Sequence, residues 1–205
     1  MVTTNGQRAA AARELAIEVP RIDVQQMEIT LIGDTPLISH KWSTKAKQEM
    51  LDKQMKKAKT AKAAKDPDRD FRESLYEHPD GGYGFPCVAF KAAAVTAAGD
   101  VDGMKMTESR RRFHVLGDLT KIEGSEPTPR EDMVRIAMGT ADIRYRGEFK
   151  EWRTTLTISY NASAISPAQI VNLFNLAGFG VGVGEWRPEK DGPFGRFHVK
   201  TGTES

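Results

Sequence analysis

The sequence of residues 151–178 is EWRTTLTISYNASAISPAQIVNLFNLAG, and its two halves carry different periodicities. Over residues 151–160, the even positions from Trp152 to Tyr160 are mostly large and apolar, while the odd positions are polar. This period of two predicts a strand with one buried face. Further along, Ser166 and Gln169 fit a capping box around Pro167 at the first helical position. A strand followed by a capped, amphipathic helix is therefore predicted.

The same patterns continue on both sides of this stretch. A period of two predicts strands at residues 27–33 and 193–200. An alanine-rich helix is expected at 86–98, with Gly99 as its stop signal, and further strands at 133–138 and 142–146. The resulting order is strand, helix, strands, helix, strand. Two helices on one face of an antiparallel sheet predict an α+β sandwich.

The length of 205 residues suits one domain with insertions. Residues 1–20 are a weak, alanine-rich and charged segment, for which we expect a flexible arm. Residues 21–200 form the predicted domain, and 201–205 a tail. Within the domain, we expect insertions at about 41–82 and 100–130, the latter irregular and polar.

The composition excludes several classes of protein. No stretch approaches the roughly 18 apolar residues that a membrane span needs, and the N-terminus lacks the apolar core of a secretory signal. The lone Cys87 excludes an internal disulfide framework and fits a reducing compartment. We therefore expect a cytoplasmic protein without a membrane partner.

The net charge is only +2, but the charge is unevenly distributed. Residues 41–65 contain nine lysines and two acids, whereas residues 66–80 contain six acids. A surface helix is predicted at 43–65, ending at Asp66-Pro67-Asp68. With the run Arg110-Arg111-Arg112, the lysine-rich segment favours a polyanionic partner, although a solvated helix face explains it equally well.

Alternate glycines at residues 178–184, in the sequence GFGVGVG, are the most informative local feature. Glycine has too much backbone freedom for a good helix or strand here, so an open loop that a ligand approaches closely is predicted. The alternative is a tight connection between a helix and a strand. The stretch matches neither GxxxxGK[ST] nor GxGxxG, so no nucleotide cofactor is expected.

Three segments in order resemble the RAMP superfamily, the RRM-like backbone subunits of CRISPR effector complexes. They are the first strand running into Thr35-Pro36-Leu37, the proline-led helix start Phe85 to Ala93 with Lys91, and residues 167–199. The last segment includes the glycine-rich stretch and the terminal pattern Gly192 to Phe197. The resemblance implies an RRM-like, ferredoxin-like βαββαβ fold, in a CRISPR-type subunit or a stand-alone, virus-encoded relative.

The resemblance also implies a function. Single-stranded RNA or DNA would cross the sheet and the glycine loop, with the two insertions acting as thumb-like segments. Lys91 and Gly178 to Gly184 match the family's positions. We expect sequence-tolerant binding, by copies that self-associate into a homo-oligomer or filament along the strand.

Lysine and arginine would neutralise phosphates, and aromatic side chains would stack on bases. Trp42 and Trp186 are the better aromatic candidates, ahead of Phe113 and Tyr145, because each follows or precedes a basic residue. The complete predicted interface consists of Lys41, Trp42, Lys45, Lys53, Lys56, Lys91, Arg110, Arg111, Arg112, Gly178, Gly180, Gly182, Gly184, Trp186, Arg187, Arg196 and His198.

Catalysis is not expected, and no catalytic residue is assigned. The four histidines show no metal-ligand spacing and the cysteine is alone, so no metal is expected either. One alternative is a metal-independent endoribonuclease that uses His40 or His114. Another is a protein-interaction or structural subunit, in which the helix at 43–65 docks on a partner.

Overall fold

The computed structural model describes residues 21–42, 44–57, 65–135 and 141–202. The predicted arm at 1–20 and most of the predicted tail lie outside the described residues. In the described part, a main antiparallel sheet carries the core and a smaller sheet stands beside it.

The centre of the main sheet is a pair of long strands. β1 (Val24–Gly33) and β9 (Trp152–Asn161) are antiparallel over nearly their whole length, from Val24 opposite Asn161 to Ile32 opposite Arg153. On the other side of β1 lies the short strand β10 (Phe197–Val199). On the other side of β9 lie β5 (Phe113–Val115) and β6 (Leu119–Gly124), which continue one another along β9.

Two helices complete the domain, α3 (Cys87–Ala97) between β1 and β5, and α5 (Pro167–Gly180) between β9 and β10. The chain order of these elements is βαββαβ, every neighbouring pair of core strands is antiparallel, and the helices pack on each other. This is the ferredoxin-like arrangement. The predicted α+β, RRM-like fold class is confirmed.

The core lies between the sheet and these two helices. From β9, Leu156 and Ile158 are almost fully buried, and Phe90 of α3 and Phe174 of α5 cover them from the helical layer. The predicted capping box at the start of α5 is present, with Ser166 accepting from the backbone of Gln169 and the Gln169 side chain accepting from Ser166. The periodicity of residues 151–178 therefore identified the central strand and its helix correctly.

The second sheet is built from residues outside the βαββαβ core. β2 (Leu37–Ser39) and β7 (Thr128–Arg135) flank β8 (Ala141–Phe149), and β7 and β8 form an antiparallel hairpin. Residues 136–140, between these two strands in the sequence, lie outside the described residues. β3 (Tyr76–Glu77) and β4 (Tyr83–Pro86) extend the main sheet beyond β6.

The insertion predicted at 41–82 contains two helices, α1 (Thr44–Gln54) and α2 (Pro67–Glu73). The exposed Met50 and Leu51 place α1 at the surface, as predicted. In the described residues the helix ends at Gln54 rather than 65, and Asp66 caps the start of α2 instead of ending α1. An aspartate followed by a proline can begin one helix or follow the end of another. The pattern Asp66-Pro67-Asp68 was therefore ambiguous.

The prediction of an irregular insertion at 100–130 is wrong. This segment holds α4 (Met106–Arg112) and the core strands β5 and β6. Gly117, at a φ of +88°, separates these strands, so each is too short to show a clear period of two. The last strand is also shorter than predicted, since residues 193–196 precede β10 as a loop.

Candidate nucleic-acid interface

A cluster of basic side chains, two cations and a histidine, lies at the edge strand β5. Lys91 comes from α3, Arg110 from α4 and His114 from β5, and α4 runs directly into β5. The Nζ atom of Lys91 lies 2.9 Å from Nδ1 of His114. The pKa of Lys91 is lowered, first by loss of solvent around its ammonium group and then by the charge of Arg110. His114 follows the arginine run in sequence, but its contact with Lys91 joins residues 23 positions apart, and no sequence pattern indicated it.

The arginines of this cluster differ in their ion pairs. Arg112 donates to Glu108 at 2.8 Å, one helical turn away. Arg110 and Arg111 are exposed, and no carboxylate lies within 4.0 Å of either among the described residues. The cluster of Lys91, Arg110 and His114, which we call the edge cluster, is therefore suited to bind an anion, with Arg111 beside it.

The glycine-rich stretch is not the open loop that was predicted. α5 continues through Gly178 to Gly180, and Gly178 is buried where the helix approaches β10. A Cβ atom at Gly178 would lie 1.7 Å from the carbonyl oxygen of Phe197, and one at Gly184 would lie 2.6 Å from that of Ile38. These glycines make room for neighbouring protein backbone.

The two remaining glycines of the stretch, Gly182 and Gly180, differ in how much space surrounds them. Gly182 has a φ of +69°, and a Cβ there would lie 2.7 Å from Pro188. Around Gly180 nothing lies within 4 Å of a Cβ position, so open space remains only there. The prediction that a ligand approaches this stretch along its whole length is wrong, and protein packing is the physical reason.

Trp186 follows the glycines and has an unusual backbone. Its φ of +54° lies in the left-handed region, which costs a residue with a side chain roughly 1–2 kcal/mol. The loop is held by hydrogen bonds from Phe194 N–H to Trp186 O and from Glu185 N–H to Ile38 O. The ring is 37% exposed, and the guanidinium carbon of Arg146 lies 5.8 Å from its centroid. Trp186 stays a predicted contact, held in place by its loop.

Arg187 is less available than Trp186. Its guanidinium donates to Glu189 at 2.6 Å and to the carbonyl of Gly184 at 3.0 Å. A phosphate would have to displace the Glu189 carboxylate, so these contacts disfavour Arg187 as a phosphate ligand.

A buried ion network, which the sequence analysis missed, joins the hairpin to this loop. The side chain of Arg146 is only 3% exposed, and it donates to Asp132 at 2.9 Å and to Glu185 at 3.3 Å. Arg130 also donates to Asp132, and His40 lies 3.1 Å from Glu185. The network commits His40 to a structural contact, although the segment 41–82 that follows it was predicted to be a separate insertion.

The acids of this network are stabilised in their charged form. For Asp132, burial opposes ionisation, but hydrogen bonds from Arg130 and Arg146 outweigh it and lower the pKa. The pKa of Glu185 is lowered chiefly by its hydrogen bond with His40, against the effect of burial. Both carboxylates are therefore held as anions by the surrounding cations.

The predicted contacts near α1 are at the surface. Trp42 is 57% exposed, and Lys53 and Lys56 are exposed as well. The ammonium of Lys41 lies 5.8 Å from the ring centroid of Tyr76. Of Lys45 only the backbone, within α1, is among the described residues. Nothing in the structure joins these side chains to the edge cluster, so they stay predictions.

Two predicted residues lie near β10, on the far side of the sheet from β5. The guanidinium carbon of Arg196 lies 5.1 Å from the ring centroid of Phe179, a residue that the sequence analysis did not single out. Nδ1 of His198 lies 2.6 Å from a carboxylate oxygen of Asp34. Among the other aromatic candidates, Phe113 is fully buried, so its stacking role is wrong. Tyr145, on β8, is half-buried.

The sheet face opposite the helices carries hydroxyl groups. Thr30 of β1 and Thr155 of β9 are register partners, and their Oγ1 atoms lie 3.1 Å apart. Thr157 and Ser159 continue the row along β9, and His114 is the register partner of Ser159. No phenylalanine, tyrosine or tryptophan of β1, β5, β9 or β10 alternates onto this face, and its only rings on these four strands are those of His114 and His198. The face therefore offers hydrogen bonds to a ligand but no large aromatic surface.

Other kinds of site find no support in the described part of the chain. No group of three or more histidine, cysteine or acidic side chains there is arranged to hold a metal ion. Among the same residues, no helix has the length and apolar character needed to cross a bilayer.

The fold and the edge cluster define the class of this protein, an antiparallel α+β sandwich with an unpaired cationic site at one sheet edge. No protein-family model matches the sequence, and no curated protein matches it significantly. Among solved structures, the chain is similar to the crystal structure of Cmr6 from Pyrococcus furiosus, at 8% identity and a TM-score of 0.48. That match covers 88% of this chain and 100% of Cmr6. The fold assignment rests on the strand order described above.

Proposed function

We propose that this protein binds single-stranded nucleic acid, RNA or DNA, and does so without catalysing a reaction. The observation that carries the proposal is the edge cluster, in which Lys91, Arg110 and His114 converge from three elements. The charge of Arg110 acts on Lys91, and no carboxylate lies within 4.0 Å of either cation among the described residues. A phosphate bound between them would relieve this repulsion.

The chemistry of the cluster favours sequence-tolerant binding. Ammonium and guanidinium groups contact phosphate and carry no information about the base. The row of Thr30, Thr155, Thr157 and Ser159 on the adjacent open face offers hydroxyl groups to sugar or phosphate oxygens. Backbone contacts of these two kinds would hold a strand of any sequence.

Membership of the RAMP superfamily, as a CRISPR-type subunit or a stand-alone, virus-encoded relative, is part of the proposal. Supporting it, two of the segments that carry the resemblance meet in space. Thr35 Oγ1 accepts from the backbone N–H of Arg196 at 3.0 Å, and Pro36 O accepts from that of Gly195 at 2.8 Å. The first-strand turn thus holds the terminal glycine-aromatic pattern.

Self-association along the strand, in a homo-oligomer or filament, is also part of the proposal. Its support is the hairpin of β7 and β8, where the register partners Met133 and Ile143 form an exposed apolar pair. Such a pair on a projecting hairpin is suited to a contact with another protein. Electron microscopy with and without a long single strand tests this part, and the absence of ordered assemblies in both samples would contradict it.

The binding itself is tested by the salt dependence of affinity. Fluorescence anisotropy with a labelled single strand is measured for the wild type and for a Lys91→Ala, Arg110→Ala variant. Losing two phosphate contacts should flatten the slope of log K against log salt by about 1.4, or roughly 0.7 for each contact.

A matched control removes the same charge elsewhere. In an Arg69→Ala, Arg144→Ala variant, both lost cations lie outside the main sheet and were paired with carboxylates, those of Asp70 and Asp142. The control should keep the wild-type slope. A slope that stays the same in the Lys91→Ala, Arg110→Ala variant would contradict the proposal. No binding by the wild type at low salt would favour a protein-interaction subunit instead.

The contact between Lys91 and His114 favours one second candidate, a metal-independent ribonuclease. An imidazole beside an ammonium group offers a proton-transfer group and a cation for the phosphate. Incubating labelled RNA with the protein and a chelator tests it. Cleavage that disappears in His114→Ala would establish the nuclease, and intact RNA would leave the binding function.

A further inference from the structure

Phe179 is the most exposed of the large apolar side chains that the structure describes. It lies in the last turn of α5, and 71% of its surface is open. Burying a phenylalanine fully would be favourable by about 1.5–3 kcal/mol, so the fold gains little from this ring. A single exposed apolar residue is ordinary, so only the surroundings of this ring can indicate a function.

The guanidinium of Arg196 accompanies the ring. Its central carbon lies 5.1 Å from the centroid of Phe179, within the range of a cation–π contact. No carboxylate lies within 4.0 Å of this guanidinium among the described residues, so its charge is not neutralised by an ion pair. An aromatic surface and an unpaired cation thus stand side by side.

Both partners are fixed by their backbones. The N–H of Arg196 donates to Thr35 Oγ1 at 3.0 Å, and its carbonyl accepts from Asp34 at 2.9 Å. Because Gly178 has no side chain, α5 lies directly against the carbonyl oxygen of Phe197. This contact holds the helix backbone next to Phe179, the residue that follows Gly178. The backbones of both residues are therefore held by the fold, and the cation–π contact is what joins their side chains.

Space beside the ring is open. A Cβ atom at Gly180 would find nothing within 4 Å, in contrast to Gly178, Gly182 and Gly184 of the same stretch. No neighbouring element of the fold therefore covers the end of α5 at Gly180, next to the exposed Phe179.

We propose that Phe179 stacks on a base of the bound single strand while Arg196 contacts the adjoining phosphate. This inference rests on the proposed function and assigns a second contact to it. β10 and β5 are separated by β1 and β9, which is about 14 Å across the sheet at a strand spacing of about 4.8 Å. The register also offsets them along the strands, because β10 reaches Gly33 of β1 and β5 lies level with Gln25, so the two sites are roughly 30 Å apart. A ring and a cation together match the alternation of base and phosphate along a single strand.

The test compares two substitutions on two ligands. Phe179→Leu keeps an apolar side chain and removes the ring, whereas Phe179→Tyr keeps the ring. Affinity is measured for an ordinary oligonucleotide and for a fully abasic strand of the same length. Ile22→Ala, at a similarly exposed apolar residue, is the control.

Phe179→Leu should weaken binding of the ordinary oligonucleotide roughly 5- to 150-fold, the effect expected for one stacked base. Phe179→Tyr and Ile22→Ala should bind as the wild type does, and the abasic strand should bind all four proteins equally. A 2-aminopurine base in the strand should be quenched by the wild type and less so by Phe179→Leu.

Three results would overturn the inference. Unchanged binding by Phe179→Leu, with a weakened Lys91→Ala, Arg110→Ala variant, would remove the stacking site and leave the proposed function standing. An equal loss on the abasic strand would show that the ring only supports its neighbours. A changed oligomeric state of Phe179→Leu without nucleic acid would show that this surface docks another copy. If neither Phe179→Leu nor the Lys91→Ala, Arg110→Ala variant affects binding, the proposed function fails as well.

Discussion

The ammonium nitrogen of Lys91 lies 2.9 Å from Nδ1 of His114, in a position where Nδ1 accepts a hydrogen bond when it carries no proton. The pKa of Lys91 is lowered, by desolvation first and by the nearby Arg110 second. This lysine therefore loses its proton at a lower pH than an exposed lysine does. A bound phosphate would oppose that loss, so binding and protonation of Lys91 are linked.

The first prediction follows from that linkage. Affinity for single-stranded DNA, measured at constant ionic strength, should fall as the pH rises through the lowered pKa of Lys91, because the neutral amine no longer attracts phosphate. In Lys91→Arg the guanidinium stays charged, and the fall should disappear. An identical pH profile for both proteins would contradict the assigned role of Lys91.

The second prediction concerns Glu108, which pairs with Arg112 at 2.8 Å. Glu108→Gln removes the carboxylate charge and frees Arg112 for the ligand, so affinity should rise a few-fold and its salt dependence should steepen. Isothermal titration calorimetry at several salt concentrations measures both. Arg112→Ala in the wild-type background should cost less affinity than Arg110→Ala, and the reverse order would contradict the difference in their ion pairs.

The third prediction contrasts two glycines of α5. Gly178→Ala places a Cβ atom 1.7 Å from Phe197 O and should destabilise the fold by about 1–3 kcal/mol or more, since the helix must move off β10. Gly180→Ala meets nothing and should leave stability unchanged or raise it by up to about 1 kcal/mol. Urea unfolding measures both free energies, and equal effects would show that the helix does not approach β10 this closely.

The fourth prediction concerns the buried ion network. Asp132→Ala leaves the buried Arg146 without its closest carboxylate and should lower the free energy of unfolding by about 3–5 kcal/mol. Glu123→Ala breaks an exposed pair with Arg153 and should cost at most about 1 kcal/mol. Thermal and urea unfolding compare the two variants, and a similarly small loss for Asp132→Ala would contradict the buried role of Arg146.

The same ion network makes the free energy of unfolding depend on pH in the acid range. The pKa values of Asp132 and Glu185 are lower in the folded protein than in the unfolded chain. The unfolded state therefore binds more protons as the pH falls through this window, and the contribution of both carboxylates is lost below their folded pKa values. Unfolding midpoints of Asp132→Asn should depend less on acid pH than those of the wild type.

The sequence predicts the elements whose signals are local. The alternation from Trp152 to Tyr160 and the capping box of Ser166 and Gln169 are properties of neighbouring residues, and both are confirmed. β5 and β6 were not predicted from the sequence, because Gly117 divides a core strand into two short pieces. Contacts such as Arg146 with Glu185 join residues 39 positions apart, and no pattern in the sequence indicates them.

The candidate site shows the same division. The sequence singled out Lys91 and the arginine run, but only the fold places Lys91 beside His114, which follows that run. The sequence also indicated that other atoms approach the glycines closely, which is correct. It did not indicate whether those atoms belong to a ligand or to protein backbone. Phe197 occupies the space beside Gly178, whereas the side chain of the next residue, Phe179, is exposed to solvent.

The placement of β1 has a consequence for how the chain is made. Among the described residues, the partners of this first strand are β9 and β10, which begin more than 110 residues later in the chain. Such pairings between distant segments slow folding. Residues 152–161 and 197–199 must therefore leave the ribosome before β1 can pair, and until then its edges are open to wrong partners. Removing α5 and β10 should therefore yield insoluble product even though Lys91, Arg110 and His114 are all still present.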